Sequence, residues 1–372
     1  MLWWMKAKMK RVQTTKMAEA LSTNEKSRLF SLFENMDKDN GFTGLNKTSD
    51  SDILLIDFYN LFLRSFMAIP TMNDNGLHVG GIAGFLKTLG AAIKLLTPSK
   101  VVIVVDGKGG SLKRRAIYPQ YKANRKTSIR LNRSYEDLTS SELEEASLKK
   151  QLFRTVAYLD TLPVTTIAID NVEADDVIAY LATEFYKDKN IYIASCDKDF
   201  LQLVNDRIKV WSPSKKKLYG CAEIFGEFGI SCQNFIYYRV LEGDTSDNID
   251  GIRGAGLKTI LKCFPFLKEQ KKATIEEIFN YSENNKSKFK LYNTILENKS
   301  IVERNYTLMQ LTDSQIQSFS QLRINEYMEK PVNRLNKIQF FKLVGEDNMR
   351  NNLENSNIWL TECFGKLDYL GK

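Results

Sequence analysis

The sequence predicts an α/β protein: a parallel sheet flanked by helices, followed by a helical C-terminal region. Three observations predict it. Four short apolar runs rich in β-branched residues occur at 53–56, 101–105, 164–169 and 191–194. Longer stretches with helical periodicity separate them, at 84–96, 148–162 and 175–185. Each run is followed closely by acid. A continuous apolar run marks a strand buried on both faces, and such strands alternating with amphipathic helices pair in parallel.

Residues 1–50 are polar and end in a stretch rich in Gly, Asn, Thr and Ser, which reads as a flexible extension and linker. The segment opens with Leu2, Trp3 and Trp4 ahead of its lysines, the reverse of a signal peptide. It is expected to be disordered, or to begin at a start codon upstream of the true one, with Met17 as the alternative. A basic amphipathic anchor is the weaker reading. The sheet-bearing unit is expected over 51–230, with a weaker strand at 208–211 forming an edge. From Ser231 to 372 the strand signals fade and the reading is helical. Asn-rich stretches near 284–300 and 350–357 are expected to cap or connect helices.

Composition narrows the function classes. The chain has 372 residues, 43% hydrophobic and 26% charged, which excludes a disordered chain or a collagen-like one. Its five cysteines are odd in number, scattered and without a C-x-x-C pair, which favours a reducing compartment and argues against disulfides or a thiolate zinc site. The one histidine, His78, sits in a turn-like Asn-Gly context and is expected to be non-catalytic. No apolar run reaches the ~20 residues of a membrane span. The net charge is +8, yet residues 107–133 hold nine basic side chains and no acid, so the rest of the chain nets −1. Basicity is confined to one strip.

The acids gather at the strand ends. Asp57 and Asp106 follow the first two runs, Glu173, Asp175 and Asp176 the third, Asp197 and Asp199 the fourth. In an open parallel sheet the carboxyl ends of the strands line the ligand crevice. Glu173 and Asp176, three apart at a helix start, share a face. Asp197 and Asp199 point the same way in extended chain. Singly, each has a structural reading as a helix cap or a charge complementing the helix dipole. Seven together would repel one another and need cations. Oxygen-only ligation selects a hard ion, Mg²⁺ or Mn²⁺. Two such ions about 4 Å apart are a standard device for phosphodiester cleavage.

The basic strip begins directly after Asp106. Lys113, Arg114, Arg115, Lys122, Arg125 and Lys126 are interleaved with Tyr118 and Tyr121, a composition suited to single-stranded nucleic acid. A solvated loop is the bland alternative. Further on, Asp244 and Asp247 precede Gly251, Gly254, Gly256 and Lys258 at the start of a new helix. Glycines let backbone approach a phosphate, and the helix start offers N–H donors.

Together these motifs resemble the 5′→3′ exonuclease and flap endonuclease family. They are Asp57, DGKG from Asp106, YPxYK and xNR around Lys122 and Arg125, EADD from Glu173, SxDxD ending at Asp199, and GDxxDNIxGIxGxG from Gly243. The family includes the nuclease domain attached to bacterial DNA polymerase I and free-standing phage enzymes. Residues 199–203 and 210–217 particularly resemble the ribonuclease H of T-even-type phages. The resemblance covers about 51–265.

It implies a PIN-like fold with a helical arch over 107–147 and a helix–hairpin–helix that grips duplex backbone. Asp57, Asp106, Glu173 and Asp175 would hold a first metal ion. Asp176, Asp197, Asp199, Asp244 and Asp247 would surround a second, Mg²⁺ in both cases with Mn²⁺ as a substitute. Lys122 and Arg125 would contact the scissile phosphate, and Asp175 would be essential to catalysis. The hairpin could also hold a monovalent cation. The implied substrates are DNA with 5′ flaps and RNA–DNA hybrids, cut by a monomer in the cytoplasm, host cytoplasm if phage-encoded. Replication proteins would dock on the C-terminal region. Two other readings stay open: a PIN-type ribonuclease acting on RNA only, and a catalytically silent nucleic-acid-binding scaffold. A haloacid-dehalogenase-type phosphatase is disfavoured, because Phe58 and Tyr59 follow Asp57 with no second acid two residues on.

Overall fold

The computed structural model describes residues 52–124, 138–312, 316–353 and 355–370. The extension over 1–50 and the strip residues Arg125 and Lys126 lie outside them. The chain enters the fold on β1 (Asp52–Asp57), the middle of the main sheet. β2 (Lys100–Val105) and β3 (Thr165–Ala168) stack on one side of it, β4 (Asn190–Ala194) and β5 (Ile208–Ser212) on the other, all parallel. β6 (Lys217–Tyr219) closes the far edge antiparallel to β5. The strand at 208–211 is therefore not an edge. It is covered by a three-residue strand too short and too lysine-rich to announce itself.

The continuous apolar runs are explained by two cores. Ile53, Leu55, Val102, Val104, Ile191 and Ile193 enter one. Their neighbours Leu54, Ile56, Val101, Ile103, Val105 and Tyr192 enter the other. Each fully buried aliphatic side chain is worth roughly 1.5–3 kcal/mol, so neither face tolerates a polar residue. The second core is roofed by α1 (Phe58–Ala68), α2 (Gly80–Leu96) and α4 (Ser141–Leu159). α3 (Leu112–Ile117) stands between β2 and α4. The first core takes α5 (Ala174–Tyr180), extended by a π-helical turn (Leu181–Phe185). It also takes α6 (Cys221–Phe228), α7 (Phe235–Glu242), α8 (Leu257–Cys263), α9 (Ile275–Asn285), α10 (Lys290–Glu297), α11 (Lys299–Met309) and α12 (Ser318–Glu329). α13 (Lys337–Glu346) and α14 (Ser356–Leu370) cross back to the second core. The helices after Ser231 thus share both cores with the sheet.

Two further expectations change. β7 (Gly243–Asp244) and β8 (Ile249–Asp250) form a small antiparallel pair inside the region read as helical. Cys221 and Cys232 form a disulfide, against the expectation of none. Their sequence separation of 11 hides the pairing, but α6 and the following 3₁₀ turn bring the Cα atoms to 5.2 Å. Among the described residues Cys196, Cys263 and Cys363 are free. His78 is structural as expected: buried, with Nε2 2.9 Å from the Ile69 carbonyl and Nδ1 beside Gln151.

Candidate metal and nucleic-acid site

The topology carries β1, β2, β3 and β4 to one crevice, and the predicted acids are at their ends. Asp57 closes β1 and caps α1, its Oδ1 accepting from the Asn60 N–H at 3.3 Å. Ser195, at the end of β4, donates to its Oδ2 at 2.8 Å. Asp106 Oδ1 accepts from the Ala174 N–H at 3.0 Å, tying the end of β2 to the start of α5. The close approach there requires Gly107, whose Cβ would overlap the Ile169 carbonyl. Asp197 accepts from the Asp199 N–H at 2.9 Å, opening a 3₁₀ turn. Asp197 and Asp199 thus lie on a 3₁₀ turn and not on extended chain, and both carboxyls stand near Asp244 and Arg239.

Burial without enough positive charge raises several of these carboxyls. Asp57 is pushed up to about 7 by burial, then by Asp106 and Asp197. Asp199 also rises to about 7, from burial, although Arg239 pulls the other way. Asp175 is raised well above the carboxylate range by burial and by Asp57 and Asp197. Asp197 rises through burial and Asp244.

Three basic side chains answer part of this charge. Arg114 Nη1 reaches Glu173 Oε2 at 2.8 Å, and the guanidinium grips both Asp176 oxygens. Its Nε donates to the Leu308 carbonyl at 2.8 Å, at the end of α11. Lys122 Nζ donates to Glu173 Oε1 at 2.9 Å and lies 3.8 Å from Asp247 Oδ2. Arg239, on α7, donates to Asp199 at 2.8 Å, Glu242 at 2.9 Å and Asp244 at 2.6 Å. Burial would raise Glu173, but Lys122 and Arg114 outweigh it and hold the carboxyl down to about 2. Asp244 is likewise lowered, Arg239 and the Ser246 bonds outweighing its burial.

Several predicted roles need correction. Arg114 is buried in the ion-pair network and is not a surface for nucleic acid. Tyr121 is buried too, its hydroxyl within reach of Glu173 and Asp247, so it offers no stacking face. Tyr118 is half-buried, with the Arg304 guanidinium 4.2 Å over its ring. Gly251 has a structural need of its own, because a Cβ there would overlap the Glu242 carbonyl. Lys113, Gly254, Gly256 and Lys258 are exposed as expected, and Arg115 is half-buried. Gly254 adopts φ +86°, the left-handed turn leading into α8. Of the arch expected over 107–147, the described parts are α3, the turn through Asn124 and the residues after 137.

Arg239 was missed by the sequence reading. Its signal is a lone charge inside the apolar run FIYYRVL, five residues before Asp244. Asn60 and Ser195 were missed as well, being ordinary polar residues until the fold sets them beside Asp57. A cavity of about 480 Å³ adjoins the acids and is lined by Arg64, Cys196, Asp197, Lys198, Arg239 and Asp244, among others. Arg64 Nε and Nη1 are buried there with no hydrogen-bond partner among the described residues.

Nine carboxylates were predicted as ligands, and three buried or half-buried cations stand among them. Among the described residues no group of three or more His, Cys, Asp or Glu is arranged to hold a metal ion as it stands. Glu173, Asp176, Asp199 and Asp244 are instead turned onto Arg114, Lys122 and Arg239. The donor chemistry nonetheless fits hard divalent cations: carboxylate oxygens, in excess of their partners, partly buried and mutually repelling.

The 5′-3′ exonuclease N-terminal resolvase-like domain family matches residues 52–229. The 5′-3′ exonuclease of Aquifex aeolicus is 32% identical over 211 residues, 56% of this chain and 67% of that protein. The 5′-3′ exonuclease of Buchnera aphidicola from Schizaphis graminum is 31% identical over 235 residues, 63% of this chain and 75% of that protein. Among solved structures, the bacteriophage T5 flap endonuclease in complex with DNA and metal ions matches with a TM-score of 0.57. It is 19% identical, over 80% of this chain and 100% of that one. That likeness is one of fold.

Proposed function

This chain belongs to the 5′-3′ exonuclease family, and we propose that it removes 5′ flaps and RNA primers by metal-dependent phosphodiester hydrolysis. It is a nuclease. The observation that carries the substrate reading is the surplus of carboxylates at the strand ends, beside both the base of a basic strip and a glycine-spaced hairpin. A protein that only bound nucleic acid would gain nothing from repelling phosphate at its centre.

In this reading Asp57, Asp106, Glu173 and Asp175 would hold one Mg²⁺, and Asp176, Asp197, Asp199, Asp244 and Asp247 would hold another. When bound, these ions activate water and stabilise the leaving oxygen. Ser195 and the Asn60 N–H orient Asp57, and the Ala174 N–H orients Asp106. Lys122 reaches the same acids from the arch base and can exchange Glu173 for a scissile phosphate, countering charge that develops there. Lys113 and Arg115 hold backbone along the arch, and Gly254, Gly256 and Lys258 grip the duplex without reading bases. The exposed faces of the C-terminal helices are where replication proteins would dock. Among the described residues no helix is long and apolar enough to cross a membrane; we place the activity in the cytoplasm, on a monomer.

The test is cleavage of a 5′-labelled flap and of an RNA–DNA hybrid with Mg²⁺, Mn²⁺ or chelator. Mg²⁺-dependent release of 5′ products is the expected result. Tight binding without cleavage in either metal would favour the silent scaffold, and cleavage of RNA alone would favour the PIN-type ribonuclease.

A further inference from the structure

The arch base and the acidic hairpin are clasped by backbone and amide contacts. The Lys122 N–H donates to the Asp247 carbonyl at 2.8 Å. Asn248 Nδ2 donates to the Gln120 carbonyl at 2.8 Å. Asn124 Nδ2 lies 3.1 Å from Asn248 Oδ1 and 3.4 Å from the Thr245 carbonyl. Lys122 and Asn248 both adopt left-handed backbone, φ 56° and 59°. Asn enters that region readily; Lys does so against a steric cost that its surroundings must hold. Here the surroundings are the clasp, which spans the residues on both sides of Lys122.

We propose that Asn248 and Asn124 are positioning residues, which lock Lys122 in this conformation and so aim its ammonium at the acid crevice. The inference rests on the reading of Lys122 as the phosphate contact. Its physical basis is that the backbone sets where a long side chain starts, so that the ammonium can reach Glu173 and Asp247 from there. Lys122 is fixed by the segment that leads into the glycine-spaced hairpin. Duplex held at Gly254–Gly256 is thereby mechanically joined to the group at the scissile phosphate. The joint explains why the hairpin carries Asn248 directly after Asp247, where an acid ligand alone would need no amide.

The variant that isolates the clasp is Asn248→Gly, because glycine keeps φ positive without strain and removes both side-chain bonds. Single-turnover cleavage of a 5′ flap in Mg²⁺ is compared with flap binding in Ca²⁺, using the full chain. The expected result is a cleavage rate lower by about ten- to a hundredfold, the cost of misplacing a catalytic group by an ångström, with affinity within about twofold. The Lys122 amide should exchange with deuterium faster. In a Lys122→Ala background Asn248→Gly should cost nothing further, because the group it positions is gone. Full activity of Asn248→Gly beside a slow Lys122→Ala enzyme would overturn this inference alone. So would a cost that persists undiminished in the Lys122→Ala background. A Lys122→Ala enzyme cutting at the full rate would remove the reading of Lys122, and the inference with it.

Discussion

Arg114 and Asp176 meet as a two-pronged pair, Nη1 on Oδ2 at 2.7 Å and Nη2 on Oδ1 at 2.8 Å. The same Nη1 serves Glu173, and Nε serves the end of α11. One guanidinium therefore pairs with two candidate ligands and joins the strip to the C-terminal helices. Arg114→Ala should destabilise the metal-free protein by up to about 3–5 kcal/mol, since it takes the guanidinium from Asp176 and leaves Glu173 to Lys122 and Tyr121. Urea unfolding in chelator measures this. Repeated in Mg²⁺, the loss should shrink, because a divalent ion supplies the missing charge. An equal loss in both conditions would separate this network from the metal site.

Asp175 occupies the opposite situation, with like-charged neighbours in Asp57 and Asp197 and a carboxyl raised by burial. Asp175→Asn should raise the melting temperature in chelator, by relieving repulsion. It should also slow flap cleavage by at least about a hundredfold, as expected when a metal-site group is lost, while flap binding in Ca²⁺ stays intact. A lower melting temperature would mean that the carboxylate stabilises the fold.

Away from the site, Glu227 accepts from Lys215 at 2.7 Å, Lys217 at 2.7 Å and Tyr219 at 2.8 Å. Its burial works against ionisation, but these three donors hold the carboxyl down to about 2. A depressed folded pKa means stability that is present above the ordinary value of 4.5. That stability is lost as pH falls from there towards 2. Glu227→Gln should cost about 1 kcal/mol near neutral pH, the scale of a partly exposed pair. The difference from the parent should close on acidification through that window. A gap that persists to pH 2 would assign the effect to packing.

The Cys221–Cys232 disulfide closes a short loop that runs from the first residue of α6 to the 3₁₀ turn before α7. In the loop-entropy account a loop of this size stabilises by about 3 kcal/mol. Reduction, or Cys221→Ser, should lower unfolding stability by up to that amount and leave flap cleavage nearly unchanged, because neither cysteine is a candidate ligand or one of the cations paired with them. Recovery of both cysteines as free thiols from the unreduced native protein would exclude the bridge.

The fold was legible because its strands obey a simple rule. Val101 to Val105 can be apolar at every position only if both faces are buried, and that alone calls for a helix-covered parallel sheet. The site was legible because four separate strands end in acid. Less readable was the direction in which each basic side chain turns. Arg114 and Arg115 are adjacent and chemically alike, yet one faces Glu173 and the other is half-exposed, which only the phase of α3 decides. β6 escaped because LYS-flanked three-residue strands borrow their stability from the neighbour they pair with. The disulfide escaped because a bridge depends on a chain reversal that spacing does not encode.

Trp359, on α14, lies so close to Gly90 of α2 that any side chain there would meet its indole ring. The last helix described is thus laid on α2, one of the helices that roof the second core. On a ribosome, where the amino end emerges first, that side of α2 is made long before the helix that covers it. A product truncated before α14 is left with the outer face of α2 around Gly90 uncovered, for chaperones and proteases to recognise.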